Sequence, residues 1–545
     1  RPFLEACLRL PALQRQALAV RVEALRNTDP VLNRSFLAET HSGTNDAYGE
    51  QNNFVGLVWQ AAAIWDEPAG FDAARSLYDN HFAFRPGTLD GLESDATFNF
   101  HAANGRQLNM GAYGRDWMNR AIRLPRVGTP WGETREQYAR LADYTLAYEW
   151  VLYRGAMAFC ANGRHNNHAG SFPADFARRL LALPGPCLDD GRREALAACL
   201  ARVSEGKGAL AGNRFFFRQL LAVHRRGDYY VDVKLTSPLV GGVETFAGAN
   251  PGNLSFGDGV TTLLRTGEEY RPIHRYTIPD SLWRFRALPG VTQLDEEWGS
   301  TNQWKGLDRY RAGGGSRAGG VSDGELGHCG FEFVSHARNA TRARKLFVFL
   351  EDGLFVLGGG ITGGKEAPAP FTYRSTLNQT AFTAPLTLRA EDGTEESIPQ
   401  DATEAHLVHP LTQRFWVAHA GIGYLVLPSG APADKGAALH VRVSVRTPLN
   451  RLIPRILDDP DPDMAAYKAQ CQALADQGRR ATVLEIWVDH GPHPKDATVA
   501  YLVHMRADRA DPALLLKAPP VTVFANDATC QAVRDDASGA LHAFF

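Results

Sequence analysis

The 545-residue sequence lacks the features that define several large classes of protein. No apolar run approaches the roughly 18 residues that a membrane helix needs. Lys and Arg number 58 against 60 Asp and Glu, so the net charge is -2 and no overall positive field is available to attract nucleic acid or a membrane surface. If the ligand is a polyanion, the positive charge that binds it must be local.

Motifs of nucleotide and metal chemistry are also missing. No GxxxxGKS/T or HExxH string occurs. The seven cysteines include no CxxC pair and no zinc-like spacing, which predicts buried free thiols. His165 and His168 lie three residues apart without a nearby carboxylate or Cys, so we expect no metal site there.

The periodicity of apolar residues changes once along the chain. Residues 1–205 follow a helical spacing, with long amphipathic stretches at 52–65 and 133–160. From about residue 215 the pattern alternates, and strand-like runs are separated by Gly- and Pro-rich turns, as in stacked antiparallel sheets. Helices first and sheets later predict an α+β multidomain chain with a helical domain over 1–205, a β-sandwich over 206–445 and a smaller β domain over 446–545.

Four polar clusters interrupt the helical half at the ends of amphipathic stretches, which is how a helical scaffold presents a cleft. They are SGTND (42–46), DATFNFH (95–101), GAYG (111–114) and NGRHNNH (162–168).

The order of these clusters resembles polysaccharide lyase family 8, the family of chondroitin AC, hyaluronate and xanthan lyases. SGTND is similar to the family's segment with a catalytic Asn, DATFNFH followed by GAYG to its His and Tyr segment, and NGRHNNH to its Arg segment. In the second half, VETFAGANPGNLSFGDG (243–259) is similar to the family's stretch that begins with a Glu and ends in Gly-Asp-Gly. The resemblance implies an incomplete α/α toroid followed by antiparallel β-sandwich domains.

The resemblance also implies the catalytic residues, which are Asn45, His101, Tyr113, Arg164 and Glu244. β-Elimination removes the proton on C5 of a uronate, so a donor must neutralise the neighbouring carboxylate, a base must take the proton and an acid must protonate the departing oxygen. The first task suits Asn45 and His101. Tyr113 could perform both proton transfers if a cation such as Arg164 favours its phenolate.

The same residues have structural interpretations that remain open at this stage. Asn45 could cap a helix, Tyr113 could be a core tyrosine, and Arg164 could bond the carbonyl groups at a helix end. Glu244, which the resemblance places across the domain boundary to orient Arg164 or His101, could be a surface ion-pair partner. Trp117 is expected to offer a sugar-stacking surface beside Tyr113.

Substrate contacts are where the sequence departs from the family. His168 replaces a second Arg, and it joins Asn162 and Trp117 as a predicted substrate-binding residue. Ala247 and Ala249 replace an Asn and a Glu, and Leu239 stands where an Arg is expected. Three more residues than in the chondroitin AC lyases separate His101 from Tyr113.

The leading interpretation is a lyase that cleaves a chondroitin- or hyaluronan-like polymer, with xanthan as another polymer. A glycan-binding relative with weakened activity is the main alternative. A hydrolase ranks last because Asp46 and Asp95 form no convincing carboxylate pair.

No cofactor is required for this chemistry, although a structural Ca²⁺ is compatible with the sandwich. The partner is an acidic polysaccharide, and no nucleic acid or membrane is involved. We expect a monomer with an extracellular or periplasmic location. The sequence starts at Arg1 within a helical pattern, so we also expect that an upstream segment is missing.

Overall fold

The computed structural model describes residue 79 and residues 91–99, 106–121, 133–163, 170–243, 256–274, 281–295, 315–335, 341–364, 366–367, 369–428, 436–449 and 462–545. These residues fall into two compact units. Of the described residues, the first unit holds 91–99, 109–121, 133–149 and 172–206, and the second holds 106–108, 150–163, 170–171 and everything from 207 onward.

The first unit is mainly helical, with one short pair of strands. Its helices are α1 (Arg115–Ala121), α2 (Arg135–Trp150), α3 (Ala174–Leu181) and α4 (Asp190–Glu205). The strands are β1 (Gly91–Leu92) and β2 (Phe98–Asn99). Thr134 and Gln137 exchange side-chain bonds with each other's backbone N–H, so a capping box starts α2.

Helix α2 is shorter than the sequence predicts. The pattern indicated a helix over 133–160, but the helix ends at Trp150. Arg154 and Gly155 then adopt left-handed φ values of 48° and 80° and turn the chain between β3 (Leu152–Tyr153) and β4 (Ala156–Met157). Such a two-residue turn joins antiparallel strands and cannot continue a helix.

The second unit is built almost entirely from antiparallel strands. After β3 and β4 they are β5 (Gly212–Phe216), β6 (Leu221–Arg226), β7 (Tyr229–Lys234), β8 (Val260–Leu264), β9 (Thr292–Leu294), β10 (Ala318–Ser322), β11 (Gly327–Val334), β12 (Arg342–Leu350), β13 (Gly353–Thr362), β14 (Tyr373–Ala381), β15 (Leu386–Ala390), β16 (Glu395–Ile398), β17 (Glu404–Pro410), β18 (Phe415–His419), β19 (Ile422–Leu427), β20 (Ala438–Arg446), β21 (Ala481–Asp489), β22 (Ala497–His504), β23 (Val521–Asn526), β24 (Gln531–Asp535) and β25 (Leu541–Phe544). Two helices, α5 (Pro462–Asp476) and α6 (Pro512–Lys517), lie among them in sequence.

These strands form four larger sheets. Strands β5 to β8 make a meander of four, and β23 to β25 make a sheet of three. A nine-stranded sheet has the order β10-β11-β12-β13-β22-β19-β18-β15-β16, and a five-stranded sheet has the order β17-β20-β21-β14-β9. Side chains of the last two sheets share one buried apolar cluster, so they pack face to face as a sandwich.

The nine-stranded sheet is buried on both faces. Along β12, Phe347 and Phe349 belong to the cluster shared with the five-stranded sheet. Leu346 and Val348, which point the other way, pack in a second cluster with residues of α6 and of the three-stranded sheet. This double burial explains why KLFVFL is continuously apolar instead of alternating.

A group of buried charges belongs to the five-stranded sheet. Glu485 on β21 is 1% exposed and faces the guanidinium groups of Arg374, Arg446 and Arg284, the first of these at 3.5 Å. Asp295 also contacts Arg374, at 3.0 Å, and Arg284. Three cations therefore share two carboxylates, and of these five side chains Arg374, Arg446 and Glu485 are buried while Arg284 and Asp295 are half-buried.

Two parts of the predicted organisation need comment. The boundary predicted at residue 446 is corrected, because β21 and β22 are hydrogen-bonded into the same two sheets as β13, β14, β19 and β20. Only β23 to β25 form a sheet of their own.

The α/α toroid stays a prediction, since most of the stretch assigned to it lies outside the described residues. Cys160, Cys199, Cys329 and Cys471 are buried as predicted, whereas Cys187 and Cys530 are half-buried.

Candidate active site

Tyr113 lies in a π-helical turn, Met110–Gly114, that leads directly into α1. Its side chain is half-buried. The backbone N–H of Tyr113 donates to Oδ1 of Asn109 at 2.9 Å, and the hydroxyl of Tyr144 donates to the carbonyl of Met110 at 3.1 Å. Single π-helical turns are rare and occur frequently at functional sites. The turn is therefore held at both ends while the Tyr113 ring remains partly accessible.

Asn109 is the residue that shapes this turn. It is 1% exposed, its N–H donates to the carbonyl of Phe98 at 3.0 Å, and its own carbonyl accepts from Gly114 N at 2.9 Å. Asn109 therefore joins the turn to β2 through its backbone N–H. Its side chain, by accepting from Tyr113 N, caps the start of the π-helical turn. Sequence reasoning missed Asn109, although an Asn just before a helical turn is a recognised capping signal.

Gly114 is required by close packing of the same turn. A Cβ at this position would meet Asn109 O and Tyr144 Oη at 2.6 Å and Phe98 Cβ at 2.9 Å. One of these is backbone, so a methyl group would have to displace the turn and Tyr113 with it.

We expect Gly114→Ala to destabilise the first unit by about 1–3 kcal/mol, the usual cost of overpacking, and to lower catalytic activity. Gly191→Ala is the control, because an added Cβ in α4 meets nothing nearer than 3.5 Å. It should stabilise by about 0.5–1 kcal/mol through helix propensity. Thermal unfolding and initial rates of both variants test this, and equal stability of the two would contradict the packing argument.

The neighbouring tyrosines are poor candidates for a proton-transfer group. Tyr138, Tyr144 and Tyr148 are buried. Burial raises the pKa of Tyr148 to about 12, against the opposing charge of Arg115, and burial also raises the pKa of Tyr144. A phenolate at these positions is therefore disfavoured. Among the described tyrosines of the first unit, Tyr113 is the one that is half-buried instead of buried.

Trp117 does not have the predicted role. It is fully buried in α1, and its ring lies 5.5 Å from that of Phe98 and 6.3 Å from that of Tyr144, between ring centroids. A ring without exposed surface offers no face to a sugar. The prediction of a sugar-stacking surface is corrected, and Trp117 instead packs in the core that supports the Tyr113 turn.

Asp95, which was considered as a hydrolase carboxylate, is engaged in a local turn. Its Oδ1 accepts from the N–H of Thr97 at 3.2 Å and from the hydroxyl of Thr97 at 2.6 Å, and Ala96 between them has a left-handed φ of 67°. Asp95 is 7% exposed. This side chain closes an Asx-type turn before β2.

Asn162 belongs to the second unit and follows a 3₁₀ turn, Phe159–Ala161. Asn162 is 9% exposed. The ring of Phe159 makes edge contacts with Trp283 at 4.7 Å, Tyr270 at 4.9 Å and His274 at 5.3 Å. The start of the predicted Arg segment is thus anchored in an aromatic cluster of the β unit.

The other predicted site residues lie outside the described residues. They are Asn45, His101, Arg164, His168 and Glu244, and the same holds for Ala247 and Ala249. Leu239 is described and is 68% exposed, and its carbonyl accepts from Arg106 N at 2.9 Å. The roles assigned to these residues stay predictions.

The described residues offer neither a metal-binding group nor a membrane-spanning helix. In this part of the chain, no group of three or more His, Cys, Asp or Glu side chains is arranged to hold a metal ion. Nor does any described helix combine the length and apolar character needed to cross a membrane.

Comparison with known proteins confirms the resemblance seen in the sequence. Residues 211–453 match the model of polysaccharide lyase family 8, super-sandwich domain. Chondroitinase-AC of Pedobacter heparinus is 24% identical over 429 residues, which cover 76% of this chain and 53% of that protein. The chain thus spans about half the length of this curated relative.

Solved structures show the same fold. A chondroitinase AC lyase, solved in complexes with oligosaccharides, gives a TM-score of 0.69 at 20% identity and covers 95% of this chain and 70% of its own. A Paenibacillus xanthan lyase gives a TM-score of 0.67 at 18% identity. The match covers 91% of this chain and 47% of the xanthan lyase. The Streptomyces coelicolor A3 chondroitin AC lyase, in complex with chondroitin sulphate, gives a TM-score of 0.63 at 20% identity. The match covers 93% of this chain and 67% of that lyase.

Proposed function

From the match of residues 211–453 to polysaccharide lyase family 8, we propose that the chain cleaves a uronic-acid-containing glycan by β-elimination. The product would carry an unsaturated uronate at its new end. Chondroitin- and hyaluronan-like polymers are the first substrates to consider, because the curated relative is a chondroitinase-AC. The similarity of fold to a xanthan lyase supports xanthan as the second.

The observation that carries the proposal is the placement of Tyr113. Elimination needs one group that accepts a proton from C5 and donates a proton to the leaving oxygen O4. A half-buried tyrosine on a turn fixed by Asn109 and Tyr144 meets the need for access and for a defined position. Among the described tyrosines of the first unit, those that are buried do not.

The proposed reaction conserves both the proton and the electron pair that leave C5. The ionised Tyr113 oxygen takes the C5 proton, the electron pair of the C5–H bond forms the C4=C5 double bond, and the C4–O4 bond breaks. The proton on Tyr113 then passes to O4 of the leaving sugar. Asn45 and His101 would donate hydrogen bonds to the uronate carboxylate, where negative charge accumulates after C5 loses its proton.

The remaining assigned residues would support this centre. Arg164 would supply the cation that favours the phenolate and grips the substrate, and Glu244 would orient Arg164 or His101. Asn162 and His168 would contact the sugar. Because His168 is titratable where the family has Arg, this contact would be charged only at acidic pH, so polymer binding would depend on pH.

We further propose that this chemistry requires no cofactor, and that the protein acts as a monomer outside the cytoplasm or in the periplasm. A structural Ca²⁺ in the sandwich would need several oxygen ligands. In the described residues no group of three or more His, Cys, Asp or Glu side chains is arranged to hold a metal ion.

The function is tested by incubating the full chain with chondroitin sulfate, hyaluronan and xanthan and following near-ultraviolet absorbance, which rises when an unsaturated uronate forms. We expect a rise with at least one polymer. A glycan-binding relative without activity would instead bind a polymer with no change in absorbance. That outcome, or neither binding nor a rise with all three polymers, would overturn the proposal.

A further inference from the structure

Lys234 is a buried lysine at the end of β7 whose ammonium is occupied by backbone oxygens. It is 1% exposed, and Nζ donates to the carbonyl of Leu235 at 2.7 Å and to that of Gly241 at 2.8 Å. Burial lowers the pKa of Lys234 to about 8, while Cys160 and Asp258 act in the opposite direction. One side chain thus ties together the two ends of the segment 235–241, here called the β7 loop.

The β7 loop is also closed by bonds of its own. The N–H groups of Ser237 and Val240 each donate to the other residue's carbonyl, at 2.9 and 3.2 Å. The hydroxyl oxygen of Ser237 accepts from the N–H groups of Leu239 and Val240, both at 3.2 Å. The loop is therefore a defined turn, and Lys234 holds it to the sheet.

One edge of the β7 loop is bonded to Arg106. The N–H of Arg106 donates to the carbonyl of Leu239 at 2.9 Å, and the carbonyl of Arg106 accepts from Gly241 N at 2.8 Å. In sequence, Arg106 lies between His101 and Tyr113, and Gly241 lies three residues before Glu244. The loop is thus bonded to the connection between two proposed catalytic residues and leads into the segment with a third.

Gly257 packs against the other side of the same loop. A Cβ on Gly257 would meet Thr236 Cγ2 at 2.2 Å and Gly242 Cα at 2.6 Å. The loop therefore lies between Lys234, Arg106 and a glycine that leaves it no room to move toward residue 257.

Desolvation of an ammonium group is costly, and a Met side chain would fill a similar volume without that cost. What the lysine adds is the pair of bonds to Leu235 and Gly241. Since misplacement of a supporting group by about 1 Å can cost about 100-fold in rate, fixing this loop has a direct use in catalysis.

We propose that Lys234 is a positioning residue for the elimination reaction, acting through the β7 loop on the Arg106 segment, which lies between His101 and Tyr113 in sequence. This inference rests on the proposed function. Lys234 itself touches no reacting atom.

The experiment compares Lys234→Met with Lys345→Met, a matched control. Lys345 is also 1% exposed, also lies near Asp258, and donates to the carbonyl of Gly290 instead of the β7 loop. For Lys234→Met we expect kcat to fall by about 10- to 100-fold with KM changed less than about threefold. Lys345→Met should lose stability and keep kcat when assayed well below its unfolding temperature.

Hydrogen exchange followed by mass spectrometry provides a readout that does not depend on activity. In Lys234→Met the amides of Arg106, Val240 and Gly241 should exchange faster than in the wild type, with the rest of the β unit unchanged. Gly257→Ala, which disturbs the same loop from its other side, should show the same pattern. Lys345→Met should not.

Two results would overturn the inference. The first is unchanged exchange at Arg106, Val240 and Gly241 in Lys234→Met. The second is a fall in kcat no larger than that of Lys345→Met. If the wild-type chain produces no unsaturated uronate from any polymer, the proposed function fails, and with it the catalytic role of Lys234, whereas hydrogen exchange still decides whether Lys234 holds the loop.

Discussion

Replacing Tyr113 by Phe should lower kcat by about 100- to 10,000-fold, the usual contribution of general acid–base catalysis, because both proton transfers of the elimination are assigned to its hydroxyl. Phe keeps the backbone N–H of Tyr113 that donates to Asn109, and the bond from the Tyr144 hydroxyl to the carbonyl of Met110 is not altered by the substitution. We therefore expect KM and thermal stability close to those of the wild type. Near-ultraviolet absorbance of the unsaturated product measures the effect.

Tyr138→Phe is the control for this substitution. Tyr138 lies in α2 of the same unit, is 2% exposed, and donates its hydroxyl to Glu133 at 2.9 Å. Loss of that bond should cost about 1 kcal/mol of stability and leave kcat intact. If Tyr113→Phe keeps the activity of the wild type, the proton transfers belong to another group.

Glu485→Ala should be the most destabilising single change that we predict, with a loss of about 3–5 kcal/mol. Its removal takes one carboxylate away from the buried guanidinium groups of Arg374 and Arg446 and from the half-buried one of Arg284. Glu395→Ala is the matched control, because Glu395 pairs with Arg389 at 2.7 Å while both side chains are about half-exposed, at 52% and 39%. Exposed pairs contribute about 0–1 kcal/mol. Denaturant unfolding of both variants gives the comparison.

The same pair of variants should differ in their response to acid. Burial alone would raise the pKa of Glu485, but the three guanidinium groups outweigh it and hold that pKa below its usual value. Stability from this carboxylate is therefore present above the usual carboxyl range and is lost as the pH falls through that range toward the folded pKa. The difference in unfolding free energy between wild type and Glu485→Ala should shrink as the pH is lowered. A constant difference down to the lowest accessible pH would contradict the ion-pair explanation.

Much of the architecture could be predicted because it depends on local patterns. The change from helical to alternating periodicity near residue 215 marks the start of the β unit, and the runs KLFVFL and LFVLGGGI are strands. The order of short polar clusters indicated a resemblance to polysaccharide lyase family 8, and residues 211–453 match that family's super-sandwich model.

The errors arise where a distant contact or a single turn decides the outcome. Helical spacing continues past Trp150, yet Arg154 and Gly155 turn the chain into a hairpin. Trp117 is adjacent to the Tyr113 turn in sequence, but its ring faces Phe98 and Tyr144 in the core. A sequence motif reveals neither the turn at Arg154 and Gly155 nor the side to which the Trp117 ring points.

The supporting residues of the site were missed for a related reason. Lys234 and Gly257 contact backbone atoms of other segments, as in the bond from Lys234 to the carbonyl of Gly241. Such bonds leave no composition or spacing signal, because any residue supplies a carbonyl.

The strand order of the sandwich has a consequence for synthesis on the ribosome. In the nine-stranded sheet β22 lies between β13 and β19, and in the five-stranded sheet β21 lies between β20 and β14. Both β21 and β22 are therefore synthesised after the two strands that flank them. Until residue 504 has emerged, β13 and β19 each present an unpaired edge of apolar strand, which is the state most prone to aggregation. In a nascent chain that ends before β22, the β13 part and the β19 part of the nine-stranded sheet therefore lack the strand that joins them. Completion of both sheets is a late event that depends on residues 481–504.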